Sequence, residues 1–447
     1  MIGIVLALAS STSVRAESLK SALGSAYNHN SELNAQRAAT RVADEQLPQV
    51  KAGYRPTVTG DANWGFVRTT TNSFGGSTSS TNPYGYGITI NQNIFNGFRT
   101  VNGIAAAEAR IRGSREQLRN IEQNVLQSAA TAYVNVLVAQ EQLSIRRRNL
   151  SFLSEQLRSS NARLDVGEGT RTDVAQSQAQ RAAALATVSA AQAQLEGAKA
   201  VYFQLIGRRP SNLRWPSGPT NLYPGSLNSA LSTGINQHPA IRLAMHSVDA
   251  SAFNVKVQEG AFLPTLSLQG NANKSFNRSS QGSRDSSVSA RLNLSVPIYQ
   301  GGLASSKVRE SKEGLAQSRI QVDVARDQVR AAIINAWSQL SSSRANVSAN
   351  RQQVKASRLA LSGVVEERNV GQRTQLDVLN QQSQLLTAQL SLLTARKGQV
   401  DAGYALAAAI GRLNSRNLRL TVRHYQPKKH YRAVKDLWFG LRTPSGR

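Results

Sequence analysis

The histidines are the side chains best suited to metal binding or proton transfer, but their spacing supports neither role. They are His29, His238, His246, His424 and His430. No two of them are separated by the steps that place two metal ligands on one helix face. Cysteine is absent, which excludes thiolate metal ligands and thiol nucleophiles, and no glycine-rich phosphate loop follows a strand pattern. We therefore expect a protein that is not an enzyme and that uses no metal or cofactor.

A different motif, a short turn with a threonine and an aspartate three residues apart, occurs twice. The two copies are Val166-Gly167-Glu168-Gly169-Thr170-Arg171-Thr172-Asp173-Val174 and Val370-Gly371-Gln372-Arg373-Thr374-Gln375-Leu376-Asp377-Val378. In each copy the threonine hydroxyl can accept a backbone N–H while the aspartate reaches back, which closes a capping box at a helix start. The glycine before it, Gly167 or Gly371, ends the preceding helix. Each motif therefore predicts a helical hairpin.

Both turns lie in a unit that occupies each half of the chain. Matching residues are 208 apart at the start of the units and 204 apart later, as for Ser18 and Ser226, then Ile206 and Ile410. The difference falls between Pro56 and Phe95, an interval that contains residues 69–82, whose serine, threonine and glycine content predicts a loop. The predicted organisation is a signal peptide (1–16), a first repeat (17–208, strand pair 54–95), a linker (209–224), a second repeat (225–412, strand pair 262–299) and a basic C-terminal tail (413–447).

Apolar and polar residues alternate on either side of each predicted loop. The alternation covers residues 58–66 and 84–90 in the first unit and recurs in the second. Aromatic residues cluster near the strand ends, where the interfacial girdles of membrane barrels form. They include Trp64, Phe66, Tyr84, Tyr86, Phe95 and Tyr299. A soluble sheet with one wet face would show the same alternation, but strand length and aromatics favour a transmembrane β-barrel.

Long helices follow the strand pairs. In residues 118–164 and 322–361, apolar residues are separated by steps of three, four or seven, the spacing of a coiled-coil seam. A single helix over residues 98–165 would contain 68 residues and extend about 100 Å. The residues around the seams are mostly small or polar, so the helix faces on either side of each seam are expected to be exposed to water. We interpret this pattern as the wall of a water-filled tube.

The charge balance is strongly basic, with a net charge of +27, which is typical of nucleic-acid binding. Residues 1–16 argue against that function, because an apolar run of about eight residues followed by small residues indicates a signal peptide and is too short to span a membrane. An exported chain meets no nucleic acid, and we expect no such partner. Basic groups such as Arg146-Arg147-Arg148 are interpreted as solvated helix faces; contact with anionic lipid headgroups or anionic cargo is the alternative.

The chain resembles the TolC-type outer-membrane efflux family over nearly its whole mature length. The resemblance lies in the order of its elements, a strand pair, a long helix, a turn and a return helix, which occurs twice. The two turns and the strand-to-helix segments Phe95-Asn96-Gly97-Phe98 and Tyr299-Gln300-Gly301-Gly302 carry this resemblance. It implies a mixed fold, an all-α coiled coil plus a transmembrane β-barrel, with four strands per chain in a trimeric twelve-stranded barrel continued by an α-helical periplasmic tunnel. Oligomerisation is expected independently, since a closed barrel needs about eight strands.

The resemblance also implies a function. The chain would be a passive outer-membrane channel-tunnel, the exit duct of a tripartite efflux or type I secretion system. It would form a homotrimer. Its partners would be a periplasmic adaptor (membrane fusion) protein, an inner-membrane transporter of the RND or ABC type, and outer-membrane lipid. Two alternatives stay open: a periplasmic structural coiled-coil or adaptor protein leaves the aromatic-rimmed strands unexplained, and a diffusion porin leaves the helices unexplained.

For the hairpin tips, the resemblance implies a gate. Asp377 would face the threefold axis and form a carboxylate ring. Arg373 would pair with Thr172 or Asp173 and hold the entrance shut. Helix capping alone is the competing role for the two aspartates.

Two residues depart from the family pattern at these tips. Asn380 replaces a second aspartate one turn after Asp377, so we expect the ring to hold cations less strongly. Arg368 replaces a tyrosine that tethers Asp173, and we expect a charged tether that is sensitive to salt.

Overall fold

The computed structural model describes residues 17–72, 75–444 and 446; the predicted signal peptide, residues 1–16, lies outside them. The first half of the chain forms α1 (Leu19–His29), α2 (Ser31–Lys51), β1 (Thr57–Trp64), β2 (Val67–Thr71), β3 (Ser77–Thr81), β4 (Tyr84–Asn96), α3 (Arg99–Asp165) and α4 (Arg171–Ile206). The second half forms α5 (Leu227–Gln237), α6 (Pro239–Glu259), β5 (Thr265–Phe276), β6 (Arg284–Ser295), α7 (Leu303–Asn369), α8 (Gln375–Ala409) and α9 (Pro427–Val434).

The long helices confirm the length and seam predicted from the sequence. α3 and α7 each contain 67 residues. Buried seam residues include Leu118, Val125, Leu143, Val322, Val329 and Leu340. Across the described part of the chain, none of the helices combines the length and apolar character that a membrane span requires.

The chain divides into two compact units, each with its own core. The first comprises the residues up to Arg37, Gln117–Ile241 and Ala325–Tyr425. Its main core surrounds the fully buried rings of Tyr133 and Tyr202, where leucines of α1 meet the seam residues of α3. A smaller cluster joins α5, α7 and α8. This unit contains both hairpin tips.

The second unit comprises Ala38–Glu116, Arg242–Val324 and Gln426–Arg447. Its core is small and lies between α2 and α3, where Leu47 packs against Ile111. The four-stranded sheet belongs to this unit.

The basic segment 413–447 was expected as a tail, but its described residues are folded and contribute to both units. Leu413, Leu418 and Leu420 are buried in the core of the first unit. Tyr431 of α9 packs against the core of the second unit. The segment is too short and too charged for its few apolar residues to show a periodic pattern, so the sequence did not predict this folding.

The main sheet is antiparallel in the order β1-β4-β5-β6. Its register aligns apolar residues in one row and polar residues in the next. Adjacent rows are Gly60, Ile88, Ala272 and Val288, then Thr59, Thr89, Asn271 and Ser289. Because successive side chains point to opposite faces, one face of the sheet is apolar and the other is polar. The alternation predicted from the sequence is confirmed.

The region expected as a loop in the first strand pair contains a further hairpin, so that expectation was wrong. β2 and β3 pair antiparallel from Val67 with Thr81 to Thr71 with Ser77. Gly75 takes a φ of 99° in the turn. Threonine is β-branched and fits an extended strand as well as it fits a loop, so the Ser/Thr composition of residues 69–82 could not separate the two.

Two glycines let the backbone segments cross closely where strand passes into helix in the second unit. Gly97 takes a φ of 68°, and a Cβ on it would collide with the carbonyl oxygen of Gly260. A Cβ on Gly260 would likewise collide with the carbonyl oxygen of Gly97. At the matching junction of the second repeat, Gly301 and Gly302 also have positive φ angles. The glycines of the two strand-to-helix motifs are therefore required by backbone geometry.

Candidate functional site

The first hairpin tip joins α3 to α4 through a tight turn. Gly167 takes a φ of 76°, and the N–H of Glu168 donates to the carbonyl of Arg163 at 2.8 Å. Thr170 caps α4: its hydroxyl oxygen accepts the N–H of Asp173 at 3.1 Å, and its own N–H donates to Oδ2 of Asp173 at 3.1 Å. The capping box predicted from the sequence is confirmed.

The second tip joins α7 to α8 in the same way. Gly371 takes a φ of 82°, and the N–H of Gln372 donates to the carbonyl of Glu367 at 2.8 Å. Thr374 and Asp377 close the second capping box at 3.2 and 3.0 Å. The local sequence rule of a glycine that ends one helix and a Thr-x-x-Asp that begins the next therefore determines both turns.

The carboxylate of Asp377 is a stable negative charge. The backbone N–H and the hydroxyl of Thr374 both donate to it, and these bonds, together with the charge of Arg373, hold its pKa below the usual 3.8. Asp377 therefore stays ionised at every physiological pH.

Arg373 pairs within its own hairpin. Its Nε donates to Oε2 of Glu367 at 2.8 Å, and this bond raises the pKa of Arg373 above its usual value, with Asp377 contributing. Among the contacts of the described residues, the pairing with Thr172 or Asp173 that the resemblance implies does not occur within one chain. It stays a prediction about the assembled protein.

Arg368 lies buried between hairpins rather than at the surface. Only 7% of it is exposed, and its Nη2 donates to Oγ of Ser159 on α3 at 3.4 Å. Burial lowers the pKa of Arg368, the neighbouring Arg163 lowers it further, and Asp173 opposes both. Asp173 therefore attracts Arg368 electrostatically, while the hydrogen bond of Arg368 goes to α3.

The sequence did not reveal a set of buried polar contacts between α8 and the first hairpin. Nε2 of Gln375 lies 3.3 Å from Oε1 of Gln156 on α3 and 3.4 Å from Oγ of Ser177 on α4. Ser177 also lies 3.1 Å from Ser160 across the first hairpin. Oε1 of Gln375 is buried with no hydrogen-bond partner among the described atoms. The contact is thus polar and incompletely satisfied, which makes it weaker than an apolar seam.

A second polar contact lies seven residues further along α8. Nε2 of Gln382 donates to Oδ1 of Asn149 on α3 at 2.7 Å, and both residues are buried. Between the two polar contacts, Leu379 packs against Leu153 and Ala184. The heptad spacing of Gln375 and Gln382 is the feature of the sequence that could have indicated these contacts. Glutamines at that spacing also fit a helix face exposed to solvent, so the spacing alone does not predict burial.

The matching helix of the first repeat shows that these contacts are specific to α8. Residues 204 positions earlier, Arg171, Ala175 and Gln178, are all exposed. The two repeats therefore build the same turn, but only the second hairpin turns this face toward a neighbouring hairpin within the chain. The repeats thus differ in the face of the return helix that carries Gln375 and Gln382, which is buried in the second repeat and exposed in the first.

The predicted aromatic residues lie at both ends of the main sheet. At one end Trp64, Tyr84 and Phe276 are paired neighbours, and the rings of Tyr84 and Phe276 stack with centroids 4.7 Å apart. Phe66 and Tyr86 lie near this row and are exposed.

At the other end of the sheet, Phe95 meets Phe98 edge to face, with centroids 5.1 Å apart, and Tyr299 is exposed. Two aromatic rows thus bracket the apolar face, as the interfacial girdles of a membrane sheet do. Within the described residues no group of three or more metal-ligating side chains comes together.

The chain belongs to the outer membrane efflux protein family, whose sequence model matches residues 22–208 and 230–412. It is 44% identical over 432 residues to the outer membrane efflux protein BepC of Brucella suis biovar 1 (strain 1330), covering 96% of this chain and 93% of BepC. It is 26% identical over 312 residues to the outer membrane protein TolC of Escherichia coli (strain K12), covering 66% of this chain and 63% of TolC.

Solved structures show the same fold. The CmeC outer membrane channel of Campylobacter jejuni superposes with a TM-score of 0.78 at 16% identity, covering 94% of this chain and 89% of CmeC. CusC superposes with a TM-score of 0.76 at 18% identity, covering 88% and 91%. The predicted fold class, a coiled coil combined with the strands of an outer-membrane barrel, is confirmed.

These findings decide between the functions that the sequence left open. The protein is an outer-membrane channel of the efflux and type I secretion class, located in the outer membrane with a tunnel extending into the periplasm, and it is not an enzyme. Family membership excludes a periplasmic adaptor or structural coiled coil as the class of protein.

Proposed function

We propose that three copies of the chain close into one duct. The sheet of a single chain ends in β1 and β6, whose outer backbone groups need hydrogen-bond partners in lipid. Pairing β6 of one copy with β1 of the next satisfies both edges, and four strands from each of three copies give a twelve-stranded barrel. The apolar face with its two aromatic rows would then contact lipid.

The gate of this duct would be the hairpin tips. The observation that carries this proposal is the buried, polar contact of Gln375 and Gln382 with the first hairpin. Hydrogen bonds of this kind contribute about 1 kcal/mol each, so they hold α8 in place without making its displacement prohibitive. An outward movement of α7 and α8 would break them and widen the entrance.

Asp377 would form the selective part of the entrance. Three copies would bring three of these ionised carboxylates to one ring on the axis, where cations concentrate. Asn380 cannot form a second ring, so block by multivalent cations would be weaker than with two rings. Arg373, next to Asp377, would reduce the negative charge of the ring.

The ring can be tested with a control supplied by the repeat itself. In planar bilayers, Asp377→Asn would weaken block by a trivalent cation added on the tip side by roughly tenfold or more. Asp173→Asn weakens the same kind of capping box in the first tip, so it controls for capping. Equal loss of block in the two variants would show that Asp377 acts only as a cap.

The partners would be a periplasmic adaptor and an inner-membrane transporter of the RND or ABC type. Relatives differ in cargo: BepC is named an efflux protein, while AprF of Pseudomonas aeruginosa, 26% identical, is named for alkaline protease secretion. The higher identity and coverage of BepC support efflux as the function of this chain. A secreted protein is the second candidate cargo.

Crosslinking from the tips would identify these partners. Photo-crosslinkers attached at Glu168→Cys and Gln372→Cys, both exposed tip positions, would capture one periplasmic adaptor in intact cells. Thr70→Cys, in the β2–β3 hairpin of the second unit, is the control and would capture none. Capture from all three positions, or from none, would contradict an adaptor-docking role of the tips.

A further inference from the structure

The basic segment after α8 runs along α2 toward the sheet in the second unit. Nδ1 of His430 lies 3.2 Å from Oδ2 of the buried Asp44, and Nζ of Lys51 lies 2.8 Å from Oδ1 of Asp436. Arg55 then donates from Nη1 to the carbonyl of Leu437 at 2.8 Å. Because the partners advance from residue 44 to 55, the segment is fixed along its length and ends beside the start of β1.

Large apolar side chains lie uncovered where this segment reaches the sheet. The indole of Trp438 lies over the guanidinium of Arg55, 4.7 Å from its Cζ to the ring centroid, yet 65% of Trp438 is exposed. Phe439 is 89% exposed and Leu441 fully exposed. The segment is held in place by its polar contacts and by the buried Val434 and the partly buried Tyr431 of α9, whereas these three large apolar side chains, which follow α9, stay exposed.

The position of these residues matches the edge of the membrane-facing sheet. Arg55 precedes β1 by two residues, and the neighbouring Tyr54 accepts a hydrogen bond at its carbonyl from Nε2 of Gln92 at 3.0 Å. Gln92 lies three residues before Phe95, which belongs to the aromatic row on the helix side of the sheet. Trp438 therefore lies at the level of that row.

The charge around the exposed aromatics is strongly positive. Between residues 427 and 442 the lysines and arginines are Lys428, Lys429, Arg432, Lys435 and Arg442, against one acidic residue, Asp436. Asp436 pairs with Lys51 at 2.8 Å and more loosely with Lys435 at 3.6 Å, so one carboxylate faces several cations and the net charge of residues 427–442 stays positive. Aromatic rings combined with lysine and arginine are the composition that binds the headgroup region of anionic membranes.

We propose that residues 435–442 form an interfacial anchor that binds anionic phospholipid of the periplasmic leaflet around the barrel. Trp438, Phe439 and Leu441 insert beside the aromatic row of Phe95, while Lys435 and Arg442 contact phosphate groups. The anchor extends the lipid contact of the sheet onto the helical part of the second unit. The anchor requires that the protein lies in the outer membrane, but it does not require the proposed gate at the hairpin tips.

Fluorescence of Trp438 in the full-length protein tests the insertion. In a Trp64→Phe, Trp215→Phe, Trp337→Phe variant reconstituted in phosphatidylcholine vesicles, lipid brominated near the headgroup would reduce the emission by roughly half. A matched variant that keeps only Trp215, in the first unit, would show no quenching. Equal quenching of the two variants, or quenching of Trp438 by aqueous acrylamide alone, would overturn the proposal.

The charged part is tested by lipid composition. Raising phosphatidylglycerol from zero to about a third of the lipid should shift the Trp438 emission to shorter wavelength and increase quenching by brominated lipid. Lys435→Gln with Arg442→Gln should remove that dependence while trimers in detergent stay intact. A second copy of the chain is the competing occupant: dissociation of trimers by Phe439→Ala with Leu441→Ala, without a change in the lipid quenching of Trp438, would overturn the proposal in favour of a subunit contact.

Discussion

Nε of Arg373 lies 2.8 Å from Oε2 of Glu367. The guanidinium of Arg373, which has no counterpart in the first tip, is therefore bound within its own hairpin. Both side chains are about half exposed, and such a pair contributes little to folding. Its effect is on the charge beside Asp377. We predict that Arg373→Ser loosens the entrance and raises single-channel conductance in planar bilayers, with little change in thermal stability.

Glu367→Gln separates two explanations of that result. If Arg373 acts through its own hairpin, Glu367→Gln should raise conductance as Arg373→Ser does. If Arg373 instead contacts the first hairpin of a neighbouring copy, Glu367→Gln should leave conductance low. Unchanged conductance in Arg373→Ser would exclude both.

Gln382→Ala removes the donor that satisfies the buried Asn149 and should destabilise the tip. The loss of the hydrogen bond leaves a buried acceptor unpaired, which costs about 1–3 kcal/mol. We expect a lower thermal unfolding midpoint and a higher conductance. Gln178→Ala, at the exposed matching position of the first repeat, should change stability by less than about 0.5 kcal/mol. Equal effects of the two substitutions would argue against a contact specific to α8.

His238 should make stability depend on pH in the mildly acidic range. It lies between α5 and α6, where its Nδ1 accepts the N–H of Ala240 at 3.2 Å, and burial lowers its pKa below the usual 6.5. The unfolded chain therefore binds a proton more readily than the folded chain. Stability should be complete above pH 6.5 and decrease as the pH falls through that value.

The first repeat supplies the control for His238. The matching residue is Asn30, whose Oδ1 accepts the N–H of Leu33 at 3.1 Å in the same kind of turn. His238→Asn should keep the turn and lessen the pH dependence of thermal unfolding between about pH 8 and about pH 5.5. A variant with the full dependence would show that another group titrates.

Gly260→Ala should destabilise the strand-to-helix junction. The added Cβ would collide with the carbonyl oxygen of Gly97, and rigid backbone cannot move aside as a side chain can. We expect a loss of about 1–3 kcal/mol, measured as thermal unfolding of the folded protein. Gly314→Ala, in α7 with open space around the Cβ, should be neutral or stabilise by up to about 1 kcal/mol. The reverse order would contradict the close backbone crossing.

Local patterns were enough to predict most of the framework. The helix lengths, both capping boxes and the alternation of the strands follow from interactions within a few residues, and duplication showed each pattern twice. The threonine of each capping box, for example, needs only the aspartate three residues later. These features depend on no contact that is distant in sequence.

Contacts between distant elements could not be predicted in the same way. Gln382 and Asn149 are 233 residues apart, and each alone resembles a solvated polar residue of a helix. The partner of Arg373 depends on the rotamer it adopts in the turn. The docking of α9 rests on pairs such as His430 with Asp44, in which neither residue has a local pattern that predicts the other.

In the proposed gate the channel opens when α8 separates from the first hairpin, and this separation can be controlled chemically because the chain has no cysteine of its own. Asn149→Cys and Gln382→Cys would be bridged by a short, reducible crosslinker, and single-channel conductance measured in planar bilayers before and after reduction. We expect low conductance while the two residues are bridged and a severalfold increase on reduction. Identical conductance in both states would contradict a gate at the hairpin tips.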